Sequence, residues 1–489
     1  MRIPSHSVKQ IHFVGIGGIG MSGIAEILFN LGYTVTGSDA GLNANVSRLQ
    51  KLGIQVYIGH DASHIQDSQV VVISTSVKAD NPEVVGARRL KIPVIRRAEM
   101  LAELMQLKLS VAISGTHGKT TTTSLAAALF DEAGFDATVI NGGIINSYGT
   151  NARLGQGDWM VVEADESDGS FLKLPATIAV VTNIDPEHMD FYPDFEAIKQ
   201  AFKTFINRLP FYGLGILAID HPVVRELSNQ ITDRRILTYG FSPDANVCAT
   251  NLRETMDGIT FDVDLVGNGA FASRVLTKGQ VSVLPRKIRD IFLPMMGHHN
   301  VQNALSVIAI AQELGMSDDC IKQAFAQFKG VKRRFTKTGV VAGVTIIDDY
   351  AHHPVEIQTV LKSARQACGG KIVAVMQPHR YSRLHYLFDD FAHCFEQADE
   401  IYIAPVYAAG EEAIEGACAE SLVKAIQAIG KANVYFLPES DALAETLAPR
   451  VQEGDMILCL GAGTITYWAA ALPQQLETLI DSCKKCATV

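Results

Sequence analysis

Leu109-Ser110-Val111-Ala112-Ile113-Ser114-Gly115-Thr116-His117-Gly118-Lys119-Thr120-Thr121 is an apolar run that breaks into a glycine turn, a lysine and hydroxyl residues. Thr122–Phe130 behind it reads as a helix. Strand, glycine turn, Lys-Thr and helix make the setting of a phosphate-binding loop, in which backbone N–H groups cradle phosphate oxygens. Lys119 is placed to neutralise the β/γ charge of a nucleoside triphosphate, and Thr120 to coordinate Mg2+. Gly115, Thr116, His117, Gly118 and Thr121 complete the cradle. The usual spacing puts a glycine at the position of Ile113, so the loop is a shortened variant.

The same rhythm runs outward in both directions. Short β-branched runs at Ile11–Ile16, Val70–Ser74, Ile178–Asn183, Val344–Asp348, Lys371–Met376 and Met456–Leu460 alternate with helix-like stretches. That alternation predicts an α/β protein with mainly parallel sheets. A chain of 489 residues is too long for one core, and three sections are expected: 1–107, 108–330 and 331–489. Within the second, Thr238–Gly279 reads as an antiparallel excursion with Gly and Asn turns.

A second glycine turn stands near the start. Gly15-Ile16-Gly17-Gly18-Ile19-Gly20 follows the strand Ile11–Val14, and Met21–Leu31 reads as a helix. The glycines permit a tight turn and close approach of a diphosphate to the helix N-terminus. Asp39 falls at the end of the next strand, where a ribose-binding acid belongs. Alone, this pattern suggests a nicotinamide oxidoreductase. The turn at Gly115 argues otherwise, because hydride transfer has no use for an ATP site of that kind. Two phosphate-binding turns imply two phosphorylated ligands. A nucleotide switch that binds without catalysis is the other class to separate.

Three further clusters carry chemistry. Glu163, Asp165, Glu166 and Asp168 come just after the apolar run ending at Val162, and Asp185, Glu187, His188 and Asp190 follow the run ending at Val181. Carboxylates and a histidine at strand ends beside a phosphate loop suit a divalent ion. Asn300 and Asn303 share one helical face, and their amides can both donate and accept, which suits an adenine edge. Helix capping by Asn300 is the plainer reading.

Composition bounds the partners. Hydrophobic residues are 47%, charged residues 19%, and net charge is -10, which argues against nucleic acid but not against a phosphorylated small molecule. No apolar stretch is long enough to span a bilayer, and Met1–Gln10 lacks a signal-peptide core, so a cytoplasmic location is expected. Eight scattered cysteines do not make a disulfide framework, and Cys483 and Cys486 read as tail thiols without function.

The ordered motifs GTHGKTTT (115–122), EADESDGSF (163–171), NIDPEHMD (183–190), GHHNVQNAL (297–305), KRRF (332–335) and DDYAHHP (348–354) resemble those of the Mur ligases of bacterial peptidoglycan synthesis. The resemblance covers nearly the whole chain. GIGGIGMSGIAEIL (15–28), HMD (188–190) and PHRYSR (378–383) are most similar to the alanine-adding members, ahead of those that recycle tripeptide. It implies a three-domain α/β fold: a Rossmann-like UDP-sugar domain, a central P-loop ATPase domain and a Rossmann-like C-terminal domain. It also implies ATP-dependent joining of L-alanine to UDP-N-acetylmuramate, with Mg2+. Under it, Lys119, Thr120 and the loop amides hold ATP, Glu163 and His188 bind the metal, and Asn300 and Asn303 meet adenine. Arg334 and Asp349 reach the nucleotide from the third domain, and His352, His379, Arg380 and Arg383 serve the amino-acid end. Gly18, Ser38, Asp39 and Thr75 become candidates for the uridine diphosphate, and Lys203 for a carbamylated lysine, against its plainer reading as a solvated helix lysine.

Overall fold

The computed structural model describes residues 8–486 apart from 75, 190, 256, 267–285 and 440, and no side chain at 441 or from 480 onward. Cys483 and Cys486 therefore enter only as the backbone of the last helix, Ile465–Cys486. The chain divides into two compact units, the first holding 1–253, 260–294 and 300–329, the second 330–489 with 254–259 and 295–299.

The first unit opens with a parallel sheet of β1 (Gln10–Val14), β2 (Thr34–Asp39), β3 (Gln55–Ile58), β4 (Val70–Ile73) and β5 (Val94–Arg96), in the order β3-β2-β1-β4-β5. Its central strand is buried on both faces, by Ile11 and Phe13 on one and by His12 and Val14 on the other. The connection from β3 crosses to β4 on the far side of β1, so strand order reverses between β1 and β4. A ligand crevice forms at the C-terminal ends of such a pair. The first glycine turn leaves β1 there. Its helix is Ile19–Asn30, two residues earlier than the sequence suggested, because Gly18 serves as its N-cap.

The second sheet contains β6 (Leu109–Ser114), β7 (Thr138–Ile145), β8 (Thr150–Arg153), β9 (Trp159–Glu163), β10 (Ile178–Val181), β11 (Leu214–Ala218), β12 (Arg235–Gly240), β13 (Val247–Thr255), β14 (Gly258–Leu265) and β15 (Arg286–Leu293). Their order is β15-β14-β13-β12-β11-β10-β6-β9-β7-β8. Strand β6 lies parallel between β9 and β10, so the loops leaving all three emerge side by side. That places the lysine turn next to both acidic stretches. The excursion expected from Thr238 begins later, since β12 pairs parallel with β11. Strands β13, β14 and β15 follow one another in sheet order as they do in sequence. Much of the remainder, 267–285, lies outside the described residues.

One apolar cluster joins the two sheets. Ile24 and Leu28 of the helix Ile19–Asn30 share it with Ile140, Ala152 and Met160. Asn151 adds a hydrogen bond from Nδ2 to the Ile19 carbonyl, 2.7 Å. The two glycine turns thus belong to one packed body.

The second unit holds β16 (Thr336–Val341), β17 (Val344–Asp349), β18 (Ile372–Met376), β19 (Glu400–Ile403), β20 (Val434–Phe436) and β21 (Met456–Leu460), ordered β16-β17-β21-β18-β19-β20. All neighbours are parallel except β16, which runs antiparallel to β17. No described helix is long and apolar enough to cross a membrane.

Candidate active site

The lysine turn is held from below by the loop that follows β10. Thr116 N donates to the Asn183 carbonyl at 3.1 Å and His117 N to Asn183 Oδ1 at 2.7 Å. Thr182 Oγ1 returns a bond to the His117 carbonyl at 2.6 Å, and Asp185 N donates to Thr116 Oγ1 at 2.8 Å. Gly118 takes φ +84°, and a Cβ there would lie 2.6 Å from Asn303 Oδ1. Both its conformation and its close contact therefore require glycine. Helix Lys119–Glu132 starts at the lysine itself, three residues before the expected Thr122, because Gly118 caps it and Thr120 and Thr121 are buried in its first turn.

Lys119 Nζ donates to the Gly115 carbonyl at 2.6 Å, the Thr116 carbonyl at 3.0 Å and Glu166 Oε1 at 2.9 Å. Burial alone would lower its pKa, but the carboxylates of Glu166, Asp165 and Glu163 more than offset this and raise it. The ammonium is thus fully charged and parked on its own loop. Glu163 closes the other flank. Burial raises its pKa against the pull of Lys119, the Gly142 N–H and the Thr120 hydroxyl, with Gly142 N donating at 2.9 Å.

The acidic stretches do not all meet at one point. Ligand atoms of Glu166, Glu187 and His188 lie within 4.8 Å of one another. Glu166 is 2% exposed, and its Oε2 is buried without a hydrogen-bond partner. A buried, unused carboxylate oxygen beside a second carboxylate and an imidazole fits a divalent cation. His188 sits at φ +58°, a left-handed conformation that costs a residue other than glycine roughly 1–2 kcal/mol. Glu166 and Glu187 were legible only as members of acidic runs. Of Thr120, Glu163 and His188, which the sequence singled out for the metal, His188 lies in this group, and the Thr120 hydroxyl bonds Glu163 beside Gly142.

Asn300 and Asn303 are buried on one face of the helix His298–Glu313, and Asn303 Nδ2 donates to Asn300 Oδ1 at 3.4 Å. Asn300 is the third residue of that helix, so it does not cap it. Lys203, on the helix Phe195–Asn207, is half-buried and donates to Gln230 Oε1 at 3.0 Å.

The first glycine turn is closed by backbone. Gly15 N and Ile16 N both donate to the Ser38 carbonyl, at 2.8 and 3.0 Å. Asp39 Oδ2 accepts from Gly17 N at 2.8 Å, so this carboxylate already orders the turn. Ser38 faces inward. Its hydroxyl donates to Glu83 Oε2 at 2.6 Å, and the same buried carboxylate meets His12, His60 and His64 at 3.4, 2.9 and 2.8 Å. Thr75 lies outside the described residues.

In the second unit, Asp349 is buried and accepts from Phe335 N and Ala351 N, each at 2.7 Å. Burial raises its pKa to about 6, against the opposing pull of Arg334. Arg334 lies over the Tyr350 ring and 3.9 Å from Glu356. His352 and His379 make an edge-on pair at 5.8 Å, and His379 stacks on Tyr407 at 5.4 Å. Burial and the charges of His352, Arg383 and Arg380 drive the His379 pKa down to about 3, so its ring is neutral near pH 7. Arg383 Nη1 donates to the His379 carbonyl at 3.2 Å, and Arg380 Nη1 stands 3.9 Å from Glu411.

Three family models match in succession: Mur ligase family, catalytic domain, over 10–109; Mur ligase middle domain over 113–311; and Mur ligase, glutamate ligase domain, over 333–463. The UDP-N-acetylmuramate–L-alanine ligase of Rhizobium meliloti (strain 1021) is 56% identical over 481 residues, 98% of this chain and 99% of the relative. That of Rhodospirillum centenum is 57% identical over 479 residues, 98% and 97%. Among solved structures, the UDP-N-acetylmuramate-alanine ligase of Thermotoga maritima matches with TM-score 0.78 and 29% identity, over 96% of this chain and 99% of that one. A murein peptide ligase from Psychrobacter arcticus shares the fold at TM-score 0.67 and 23% identity, over 96% and 98%. Three successive family models that together span most of the chain, and relatives above half identity over nearly all of it, show that the chain is a ligase belonging to the Mur ligase family.

Proposed function

We propose that this chain joins L-alanine to the carboxylate of UDP-N-acetylmuramate, consuming ATP and releasing ADP and phosphate, in peptidoglycan precursor synthesis. The observation that carries the reading is the pairing, within one packed unit, of a lysine-bearing phosphate turn with a second glycine turn that has no cation of its own. We assign the first to ATP and the second to the diphosphate of the UDP-sugar. The relatives above half identity support the choice of alanine. The domain limits we propose are 1–107, 108–330 and 331–489.

The substrate carboxylate attacks the γ-phosphorus, the bond to the bridging oxygen breaks, and ADP leaves with that electron pair. Lys119 must release its loop carbonyls and turn its charge onto the β/γ oxygens. Glu166, Glu187 and His188 would hold Mg2+, which when bound supplies neutralisation of phosphate charge. Thr120 and Glu163 remain the alternative pair on the opposite flank. Asn300 and Asn303 take the adenine. The neutral amine of alanine then attacks the acyl phosphate carbonyl, and phosphate leaves. Of His352, His353 and His379, the last is a poor base for the amine, because its pKa of about 3 leaves the ring little affinity for a proton. Arg334 and Asp349 stay assigned to the nucleotide, and Arg380 and Arg383 to the amino acid, on the family resemblance. Buried free thiols at Cys248, Cys368, Cys394 and Cys459 suit a reducing compartment, and we place the protein in the cytoplasm.

The test is phosphate release with ATP and UDP-N-acetylmuramate across a panel of amino acids. Release stimulated by alanine, with formation of the amide product, is expected. Release indifferent to the UDP-sugar, or tight NADH binding in its place, would overturn the reading.

A further inference from the structure

The second glycine turn carries its own cation in Lys119, and the first carries none. A positive charge reaches the first turn from elsewhere in the chain. Arg97 opens the helix Arg97–Met105, directly after β5 at the edge of the first sheet. Its side chain lies along the first turn of the helix Ile19–Asn30. A Cβ on Gly20 would stand 2.7 Å from Arg97 Nη1 and 3.2 Å from its Cδ, so glycine at position 20 makes room for the guanidinium. At its other end, Arg97 Nη2 donates to Asp165 Oδ2 at 3.3 Å. Asp165 belongs to the acidic loop whose charge acts on Lys119. Arg97 therefore spans the space from the first glycine turn to the acids of the second.

Its donors are poorly used. Among the described residues the guanidinium makes one hydrogen bond, although it has five N–H groups and its side chain is only 20% exposed. None of its nitrogens is among the sealed, unpartnered atoms, so the unused donors remain open to a ligand. A mostly buried guanidinium with one edge on a carboxylate and the other edge open is built to take a second planar anion.

We infer that Arg97 is the positioning residue that receives the carboxylate of the sugar acid and holds it between the two glycine turns. The inference rests on UDP-N-acetylmuramate being the substrate. The sugar's diphosphate has the glycine turn and its helix N-terminus to bind. Its carboxylate must reach the phosphate served by Lys119, past Asp165 and Glu166, which repel it. Arg97 neutralises Asp165 with Nη2 and leaves the other edge for the incoming anion. It takes no part in bond making.

Calorimetry with two ligands isolates this role. UDP-N-acetylglucosamine has the same diphosphate and sugar ring but lacks the lactyl carboxylate. Wild type should bind UDP-N-acetylmuramate more tightly, by about tenfold to a hundredfold, the scale of a charge-assisted hydrogen bond. Arg97→Ala should abolish that preference and leave UDP-N-acetylglucosamine affinity within about twofold. Arg97→Lys keeps the charge but cannot serve two anions on separate edges, so it should retain only a small part of the preference. In turnover, KM for UDP-N-acetylmuramate should rise and kcat fall, while KM for ATP stays. Equal weakening of both ligands in Arg97→Ala and Arg97→Lys would reassign Arg97 to the diphosphate or to the fold and overturn the inference. A preference that survives in both variants would overturn it while leaving the substrate reading standing. A wild-type protein with no preference, and no turnover of the acid, would sink both.

Discussion

The two glycine turns share one local plan and differ in what stands around them. Each leaves a central parallel strand, at Val14 and Ser114, and each starts a buried helix. Around the second, a lysine, the carboxylates of Glu163, Asp165, Glu166 and Glu187 and a histidine crowd within interaction range, and the turn is braced by Thr182 and Asn183. Around the first, the turn is braced by the Ser38 carbonyl and Asp39, and the charged cluster lies behind it, where Glu83 gathers His12, His60 and His64. Glycine spacing builds a tight turn at a helix N-terminus in both places. On the function proposed above, the surrounding charges decide whether a phosphate is transferred or merely held.

The largest expected effect separates the two turns directly. Lys119→Ala should cut phosphate release by about a thousandfold or more, the scale of losing a cation on a transferring phosphoryl group. UDP-sugar affinity, read by calorimetry, should stay near wild type. Loss of sugar binding with turnover retained would erase the distinction drawn between the turns.

Behind the first turn, Glu83 should matter for stability and not for chemistry. Burial opposes its ionised form, but hydrogen bonds from His12, Ser38 and His64 more than offset that and hold its pKa at about 2, against 4.5 ordinarily. A depressed carboxylate stabilises the fold fully above the ordinary value, and that contribution is lost as pH falls from about 4.5 toward about 2. Glu83→Gln should therefore cost roughly 3 kcal/mol at pH 7, with the gap to wild type closing on acidification below about pH 4. A denaturant-unfolding series over pH checks this, and a gap that widens in acid would contradict it.

A smaller effect concerns which acids face the metal. Glu166→Ala and His188→Ala should raise the magnesium concentration for half-maximal activity by about tenfold, and Glu163→Ala by less, since Glu163 is tied to Gly142 and Thr120. A magnesium titration moved only by Glu163→Ala would restore the ranking that strand-end position alone suggests. Smallest of all, Asp39→Ala should weaken UDP-sugar binding by about fivefold to tenfold, one hydrogen bond's worth, by loosening the Gly17 amide. Unchanged affinity would show that the turn holds its shape without Asp39.

Some of this was readable from composition and spacing because it is local. A glycine turn after an apolar run, followed by a helical stretch, depends on neighbouring residues, and the strand rhythm announces parallel sheets. The helices nevertheless begin earlier than hydrophobic periodicity suggests, at Ile19 and Lys119, because the glycines cap them and a cap has no periodicity to detect. The same limit applies to Asn300, which the sequence allowed as a cap and the helix buries in its first turn.

Order along the chain was enough to establish the α/β class, both glycine turns and the family resemblance, since each rests on residues close together in sequence. Only the tertiary structure showed which acids meet His188 and which cation stands beside the first turn. Glu166 meets Glu187 and His188 because β9 and β10 flank β6, an adjacency set by sheet order and not by sequence distance. Arg97 reaches Gly20 and Asp165 because the helices that carry the first two pack against the second sheet, burying a shared apolar core whose closure fixes where the charges point.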